Sequence, residues 1–211
     1  IDMMRVASYV KDVDKAIDLA NQIKAKGYEV TINLMAVSHA RERELDEALV
    51  QVEKESNVDA LYLVDSFGAL YSEQISHLAK KYKSLMPTKE IGVHAHNNQQ
   101  LAFANTIEAI IQNVNYLDGT IFGIGRAAGN CPLELLLGFL KNPKYDLRPI
   151  LEILESHFVK LKEEIEWGYT IPYMITGILD LHPRAGMKLR KSESKDDYLG
   201  FFDSLAQSDS A

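Results

Sequence analysis

Short apolar segments rich in β-branched residues recur along the first two thirds of this chain, about 30 residues apart. Each is followed by a segment with helical spacing, so the repeat is strand then helix. Strands that read as continuous apolar runs are typical of parallel sheets covered on both faces. The predicted strands are Met3–Ser8, Glu29–Val37, Asp59–Phe67, Glu90–His96 and Leu117–Ile124.

Two architectures of the α/β class fit this repeat. One is an open doubly wound sheet, and the other is part of a closed (β/α)8 barrel. A complete barrel takes about 250 residues, so five strand-and-helix units would account for about five-eighths of one.

The segments between the predicted strands have apolar residues at helical spacing and recognisable ends. An apolar stripe from Val13 to Ala20 is followed by Gly27, where the helix would stop. Ser72 is a candidate N-cap for a helix that runs to about Met86. The other expected helices are 41–56, 101–114 and one that opens at Pro132.

Beyond residue 142 the strand-and-helix repeat stops. Residues 147–167 are predicted to form one long amphipathic helix whose apolar stripe includes His157 and Ile165. Residues 168–183 predict a helix with irregular ends, and Tyr198–Leu205 a short final one. We therefore divide the chain into a partial-barrel domain, 1–142, and a helical C-terminal segment, 143–211, packed on the barrel.

The composition excludes several classes of partner. The chain has 211 residues and a formal net charge of −7, which argues against a nucleic-acid surface. A single cysteine, Cys131, excludes an intrachain disulfide and fits a reducing cytoplasm. No apolar run approaches the ~20 residues of a membrane helix, and no signal-peptide pattern opens the chain. We expect a cytoplasmic protein that binds neither nucleic acid nor membrane.

The sequence His94-Ala95-His96 places two histidines at the end of the fourth predicted strand. Because strand side chains alternate, both are expected on one face, at the carboxyl edge where parallel α/β folds carry their sites. Two imidazoles at this spacing can chelate one divalent metal, with oxygen ligands completing the site. On spacing alone, hydrogen bonding within the barrel mouth is an equal alternative.

Asp65 and Ser66 end the third predicted strand at the same edge. A carboxylate and a hydroxyl there can bind a substrate oxygen or orient the water shell of a metal. The alternative is that both side chains cap the helix that begins near Ser72.

The fifth predicted strand leads into a glycine-rich segment, 123–130, that contains G-x-G-x-x-A. We discount a dinucleotide-binding fingerprint because the segment belongs to the fifth unit and no acidic residue closes a strand about 20 residues later. The alternative is a loop that exposes backbone amides, with Asn130 offering its carbonyl oxygen to a metal or a substrate.

Three motifs together resemble the 4-hydroxy-2-oxovalerate aldolases, in the wider group with 3-hydroxy-3-methylglutaryl-CoA lyase and the isopropylmalate and homocitrate synthases. In order, they are Tyr62-Leu63-Val64-Asp65-Ser66-x-Gly68-Ala69, His94-Ala95-His96-Asn97-Asn98 and Gly125-x-x-Ala128-Gly129-Asn130-x-Pro132-Leu133-Glu134. Smaller matches lie at Arg5–Ala7 and from Met35 to His39. The resemblance covers about Arg5 to Glu134, and three ordered motifs are more specific than any single one.

The resemblance implies a (β/α)8 TIM barrel of which this chain supplies strands four to eight. It implies that His94 and His96 bind a divalent cation, manganese first, with magnesium and zinc as alternatives. The family's third metal ligand, an aspartate, and its arginine belong to a first-strand motif with no counterpart here. An open sheet would also leave two apolar edges, which proteins normally avoid. We therefore expect further residues before Ile1 in the native protein.

The resemblance also implies roles for other side chains. Ser66 and Asn130 would hold substrate oxygens, and Asp65 would orient the water shell of the metal. Gly168-Tyr169-x-x-x-Tyr173 resembles the family's C-terminal segment, in which a tyrosine serves as acid. Aromatic packing is the alternative for Tyr169 and Tyr173.

The expected function is that of a metal-dependent aldolase, a carbon–carbon lyase that cleaves or forms a 2-oxo acid through a metal-stabilised pyruvate enolate. One alternative is a Claisen-type acyl-CoA lyase or synthase of the same wider group. Another is a non-catalytic barrel that binds a metabolite or a protein. By resemblance, an acylating aldehyde dehydrogenase would dock on the C-terminal region, and we expect a homo-oligomer.

Overall fold

A computed structural model of the chain describes residues 1–208 and divides it into two compact units. The strand unit comprises Ile1–Ser66, Leu70–Ala95 and Ala104–Asp118. The loop-and-helix unit comprises Phe67–Ala69, His96–Phe103 and the chain from Gly119 onwards. The division into domains 1–142 and 143–211 stays a prediction.

The strand unit is built on one parallel sheet of five strands in chain order. The strands are β1 (Met3–Tyr9), β2 (Glu29–Met35), β3 (Ala60–Asp65), β4 (Glu90–Ala95) and β5 (Tyr116–Leu117). Across the sheet, Val6 pairs with Ile32 and Val64 pairs with His94. Parallel neighbours need a crossover connection, and helices supply it here.

Four helices follow the first four strands: α1 (Val13–Lys24), α2 (Glu42–Glu55), α3 (Ser72–Leu85) and α4 (Ala102–Ile111). Short 3-10 turns, Val10–Asp12 and Val37–His39, precede α1 and α2. The apolar stripes of the helices and the apolar side chains of the strands form one buried core, in which Ile32, Leu61 and Leu49 are fully buried. Burial of each such side chain contributes about 1.5–3 kcal/mol.

The sequence predicted four strands and four helices of this unit to within a few residues, and the α/β class is confirmed. The N-cap prediction for Ser72 is wrong, because Tyr71 occupies that position. The backbone N–H of Tyr71 donates to Gln74 Oε1 at 2.9 Å, which satisfies a donor that the helix start leaves open.

The fifth strand is much shorter than the predicted Leu117–Ile124. The backbone N–H of Asp118 still donates to Val93 O at 3.1 Å, and the ladder ends there. A 3-10 turn follows at Ile121–Gly123, in which Phe122 has a φ of 56°. That left-handed conformation is uncommon for a bulky residue and cannot belong to a strand. The strand prediction for 118–124 is therefore wrong.

The loop-and-helix unit contains α5 (Leu133–Leu140), α6 (Arg148–Ile153), α7 (Val159–Glu164), α8 (Ile171–Ile178), α9 (Arg184–Arg190) and α10 (Tyr198–Ser208). A π-helical turn, Leu154–Phe158, joins α6 to α7, so the single helix predicted over 147–167 is interrupted. The final helix was predicted, and α9 was missed. Within residues 1–208, every helix falls short of the length and apolarity that a membrane crossing needs.

The apolar stripe predicted for residues 147–167 is only partly covered. Leu154 and Leu161 are half-buried, whereas Ile153 and Ile165 are exposed. His157 is exposed as well, so the prediction that it lies within a packed stripe is wrong.

Candidate functional site

His94 lies near the carboxyl end of β4, in the strand unit. Val93 pairs with Leu117 of β5, and Asp118 therefore follows beside His94. His94 Nδ1 lies 2.8 Å from Asp118 Oδ2. A carboxylate can only accept a hydrogen bond, so in the neutral ring Nδ1 carries the proton and Nε2 carries the lone pair.

Asp118 is partly buried and receives a second donor. Arg5 of β1 donates from Nη1 to Asp118 Oδ1 at 3.1 Å. The guanidinium carbon of Arg5 also stacks 4.0 Å from the Tyr62 ring centroid. Donors from β1 and β4 thus converge on one carboxylate, with Tyr62 of β3 packed against the Arg5 guanidinium.

The charges of this network agree with its hydrogen bonds. Burial alone would raise the pKa of Asp118, but the hydrogen bond from His94 and the charge of Arg5 hold that pKa below its usual value. Burial, and after it the charge of Asp118, raises the pKa of Tyr62 to about 12. At neutral pH the carboxylate is therefore ionised and the phenol is protonated.

Asp65 and Ser66 are buried where β3 ends, and each tethers a neighbouring turn. Asp65 Oδ2 accepts from the backbone N–H of Leu70 at 3.3 Å, which lies before α3. Ser66 Oγ accepts from the backbone N–H of Ala36 at 2.8 Å, where φ is a left-handed 52°. Both side chains therefore hold turns, and the N-cap position of α3 belongs to Tyr71. Contact of either with a substrate stays a prediction.

In the loop-and-helix unit, His96 pairs with Asn130 across an isolated antiparallel bridge. His96 Nδ1 lies 3.2 Å from the carbonyl oxygen of Gly129. A carbonyl oxygen only accepts, so Nδ1 carries the proton here too and Nε2 carries the lone pair. Directly opposed residues of an antiparallel pair project to the same side, which puts the Asn130 side chain beside the His96 ring.

Only the nitrogen of the Asn130 side-chain amide has a hydrogen-bond partner among residues 1–208. Its Nδ2 donates to Ile124 O at 3.0 Å, and its Oδ1 is buried with no hydrogen-bond partner among residues 1–208. A buried acceptor left in this state costs about 1–3 kcal/mol unless a ligand satisfies it. Asn130 Oδ1 is therefore a donor atom suited to a cation or to a donating ligand group.

The glycine-rich segment owes its sequence to close packing of its own backbone. Gly129 has a φ of +82°, and a Cβ there would lie 2.1 Å from Gly123 O. A Cβ on Gly125 would lie 2.5 Å from Asn130 Nδ2. No helix begins between Ile124 and Pro132, which agrees with discounting a dinucleotide fingerprint.

Tyr169 and Tyr173 have different surroundings within the loop-and-helix unit. Tyr169 is 51% exposed and lines a cavity of about 440 Å³ that Asn130 also lines. Tyr173 is 4% exposed, and its hydroxyl donates to Glu166 Oε1 at 3.4 Å. Burial, and next the charge of Glu166, raises the pKa of Tyr173. Tyr173 packs with Ala127 and Ala128, and an acid role for either tyrosine stays a prediction.

Each unit by itself offers donors that fit a divalent cation. The strand unit offers His94, and the loop-and-helix unit offers His96 with Asn130 Oδ1. Metal-binding histidines almost always donate their other ring N–H to a carboxylate or a carbonyl, as both histidines do here. Residues 1–208 contain no group of three or more His, Cys, Asp or Glu side chains arranged for a metal.

The role of Asp118, which is 24 residues from His94 in the chain, was not predicted from the sequence. The signal that could have found Asp118 is its place directly after the Tyr116-Leu117 strand, at the edge where barrel sites lie. Arg5 was singled out only as part of a matching motif, and nothing in its local sequence indicates Asp118 as its partner.

Residues 3–156 match the HMGL-like family. The 4-hydroxy-2-oxovalerate aldolase of Thermus thermophilus is 31% identical over 159 residues, which are 74% of this chain and 46% of that protein. The oxaloacetate decarboxylase of Mycobacterium tuberculosis is 30% identical over 141 residues, which are 67% of this chain and 41% of that protein. The chain thus spans less than half the length of these two curated relatives.

Solved structures of the same architecture exist. The N-terminal domain of a candidate aldolase from Bacteroides vulgatus has a TM-score of 0.80 at 32% identity, covering 91% of this chain and 64% of that one. The HMG-CoA lyase of Bacillus subtilis has a TM-score of 0.63 at 16% identity, covering 78% of this chain and 63% of that one. The carboxyl transferase domain of Rhizobium etli pyruvate carboxylase has a TM-score of 0.70 at 15% identity, covering 98% of this chain and 37% of that one. At their low identities, the last two likenesses concern the fold, and the predicted part of a TIM barrel agrees with them.

Proposed function

Because the chain belongs to the HMGL-like family, we propose that it carries part of a divalent-metal-dependent carbon–carbon lyase site for a 2-oxo acid. The proposal concerns the whole protein that contains this chain. Its curated relatives include both aldolases and a decarboxylase, which share the breaking of a carbon–carbon bond.

The observation that carries the proposal is the pairing of His96 with Asn130. The His96 ring has its proton held on Nδ1 by Gly129 O, and the neighbouring Asn130 Oδ1 is a buried acceptor without a partner among the described residues. Nitrogen and oxygen donors fixed in this way suit a divalent cation. We propose His94 as a second imidazole ligand, because of the His94-Ala95-His96 spacing and its own hydrogen bond to Asp118.

A divalent cation held by these residues would supply Lewis-acid chemistry to the keto and carboxylate oxygens of the substrate. In retro-aldol cleavage of a 4-hydroxy-2-oxo acid, the C4 hydroxyl gives its proton to a base such as water, and the C3–C4 bond breaks. The electron pair of that bond passes to C3 as the enolate of pyruvate, and an aldehyde departs. A proton taken up at C3 then gives pyruvate.

The proposed protein groups bind and orient the substrate. Ser66 and Asn130 hold substrate oxygens, and Asp65 orients the water around the cation. Of the two tyrosines, Tyr169 is favoured as the proton carrier because it is 51% exposed and lines the same cavity as Asn130. Tyr173 is 4% exposed and already donates to Glu166.

Manganese is the proposed metal, with magnesium and zinc as alternatives. Imidazole nitrogen suits zinc, whereas carbonyl and water oxygens suit manganese and magnesium, so a mixed donor set favours an ion that accepts both. Restoration of activity to metal-stripped protein by each ion in turn would rank them.

Enolisation of pyruvate tests the function most directly. With metal present, the full protein should exchange the methyl protons of pyruvate for deuterium, as read by NMR. The double variant His94→Ala/His96→Ala should lose this exchange. The matched control is His77→Ala/His157→Ala, which removes two exposed histidines and should leave the exchange unchanged. Wild-type protein with bound metal and no exchange would contradict the proposal.

Product analysis separates the two substrate classes. A 4-hydroxy-2-oxo acid should give pyruvate and an aldehyde, and oxaloacetate should give pyruvate and carbon dioxide. The aldolase reaction is favoured because several of the similar proteins are 4-hydroxy-2-oxovalerate aldolases. Turnover of oxaloacetate alone would move the assignment to a decarboxylase.

The remaining alternatives have their own tests. Turnover that depends on an acyl-CoA would favour the Claisen-type reaction. Co-purification of an aldehyde dehydrogenase, lost on deletion of residues 143–211, would establish the proposed partner. Light scattering of the purified protein would test the proposed homo-oligomer.

A further inference from the structure

We propose that Asp118 is a positioning residue for His94, and that Arg5, stacked on Tyr62, holds Asp118 in the required orientation. The assigned role is to keep the proton of the neutral His94 ring on Nδ1, so that Nε2 carries the lone pair that coordination requires. This inference rests on the proposed metal-dependent function and adds residues to that site.

Two donors meet at Asp118: His94 Nδ1 lies 2.8 Å from Oδ2, and Arg5 Nη1 lies 3.1 Å from Oδ1. The guanidinium carbon of Arg5 also lies 4.0 Å from the centroid of the Tyr62 ring. Arg5 has no acceptor atom, so it always requires an oxygen. A carboxylate can present one oxygen to Arg5 and the other to His94 at the same time.

The group that accepts the Nδ1 proton of His94 differs in kind from the group that accepts the Nδ1 proton of His96. A backbone carbonyl, Gly129 O, receives the His96 proton, and no side-chain substitution converts that carbonyl into a donor. A side chain receives the His94 proton, so the tautomer of His94 depends on the residue at position 118. His94 is therefore the histidine whose metal-binding nitrogen can be switched by a substitution of similar size.

The variant Asp118→Asn makes this dependence testable. An amide has one acceptor oxygen, and Arg5 requires that oxygen because it can only donate. The amide NH2 group then faces His94 Nδ1, which must accept. The ring proton consequently moves to Nε2, the nitrogen that a metal would need.

The tautomer can be read without any metal, by long-range proton–nitrogen correlation NMR of the metal-free full protein labelled at histidine. Wild-type His94 should show a protonated Nδ1 and an unprotonated Nε2, and Asp118→Asn should reverse or mix this pattern. The His96 signals should not change. A wild-type ring with its proton on Nε2 would overturn the inference without any variant, and so would an unchanged tautomer in Asp118→Asn.

Titration with Mn²⁺ supplies the second readout. Loss of a group that orients a ligating histidine weakens metal binding by about 10- to 100-fold, and Asp118→Asn should fall in this range. Asp118→Glu should restore part of the affinity. Asp59→Asn is the matched control: it also replaces a carboxylate bonded to a cation, Lys24, and should leave affinity unchanged. Equal affinity in wild type and Asp118→Asn would contradict the inference.

The two readouts separate this inference from the proposed function. If wild-type protein binds no metal but has the expected His94 tautomer, the proposed function fails and the role of Asp118 in setting the ring stands. If metal binds normally in Asp118→Asn, the function survives and the positioning role fails.

Discussion

The strand unit and the loop-and-helix unit fix their histidines in different ways. In the strand unit, the carboxylate of Asp118 receives the ring proton of His94 and is itself held by Arg5. In the loop-and-helix unit, the backbone carbonyl of Gly129 receives the ring proton of His96. A side-chain support can be removed by one substitution of similar size, whereas a backbone support fails only when the backbone moves. The two units should therefore respond to different kinds of mutation.

The largest combined effect, on stability and on metal binding together, is expected from Gly129→Ala in the loop-and-helix unit. A Cβ at this position would lie 2.1 Å from Gly123 O, and φ is +82°, so the backbone that supports His96 must shift. We expect a loss of about 3 kcal/mol in the free energy of unfolding, with loss of metal binding.

The control is Gly138→Ala, in α5, where a Cβ meets nothing within 4 Å. Because alanine favours a helix, this variant should gain about 0.5–1 kcal/mol. Urea unfolding measures both variants. Equal stability of Gly129→Ala and wild type would refute the backbone support of His96.

A second comparison concerns how deeply apolar side chains are buried in the two units. Leu61 of β3 is fully buried, so Leu61→Ala should cost about 2–5 kcal/mol through lost transfer energy and a cavity. Leu151 of α6 is 49% exposed, so Leu151→Ala should change stability by less than about 0.5 kcal/mol. Urea unfolding of the two variants tests this difference. A large effect at Leu151 would mean that an additional surface covers this residue in solution.

The coupling between Arg5 and Asp118 gives a smaller and more specific effect. In the Asp118→Asn background, Arg5→Met removes the donor that competes for the single amide oxygen. That oxygen can then turn to His94 and restore its tautomer, so Mn²⁺ affinity should recover by about tenfold relative to the single variant. Isothermal titration measures the recovery. A double variant weaker than Asp118→Asn would show that Arg5 acts on the site by another route.

The smallest effect is expected from the Lys24–Asp59 ion pair of the strand unit. Burial would raise the pKa of Asp59, but the hydrogen bonds from Lys24 and from the Val30 amide hold it below the ordinary 3.8. A carboxylate whose pKa is lowered on folding stabilises the folded state when the pH is above its unfolded-state pKa. That stabilisation is lost as the pH falls through the folded-state pKa. Asp59→Asn should therefore cost about 0.2–1 kcal/mol at pH 7 and progressively less below pH 3.8. Thermal unfolding across this pH range measures the difference, and a constant difference would contradict the assignment.

Much of the strand unit could be predicted from sequence because hydrophobic periodicity reports burial directly. Strands β1 to β4 are covered on one face by helices, and the apolar stripes of those helices could be recognised in the sequence. The end of the fifth strand was predicted wrongly, because apolar composition does not show where the chain stops pairing with the neighbouring strand. The left-handed φ of Phe122 has no local signal, since that conformation is set by contacts made after folding.

The site was partly predictable for the same reason. His94 and His96 stand in a short motif whose spacing has a chemical meaning, so both could be named from sequence. Their supports could not, because Asp118 and Gly129 reach them only through tertiary structure. Asn130 was named for its carbonyl oxygen, and its buried, unsatisfied state became visible only with the backbone around it.

The measurement that tests the account most directly is the metal content of the full protein, determined by elemental analysis in wild type and in His94→Ala/His96→Ala. We expect close to one divalent ion per chain in wild type and in His77→Ala/His157→Ala, and almost none in the double variant at positions 94 and 96. Equal metal content in all three proteins, or no metal in any of them, would contradict this expectation.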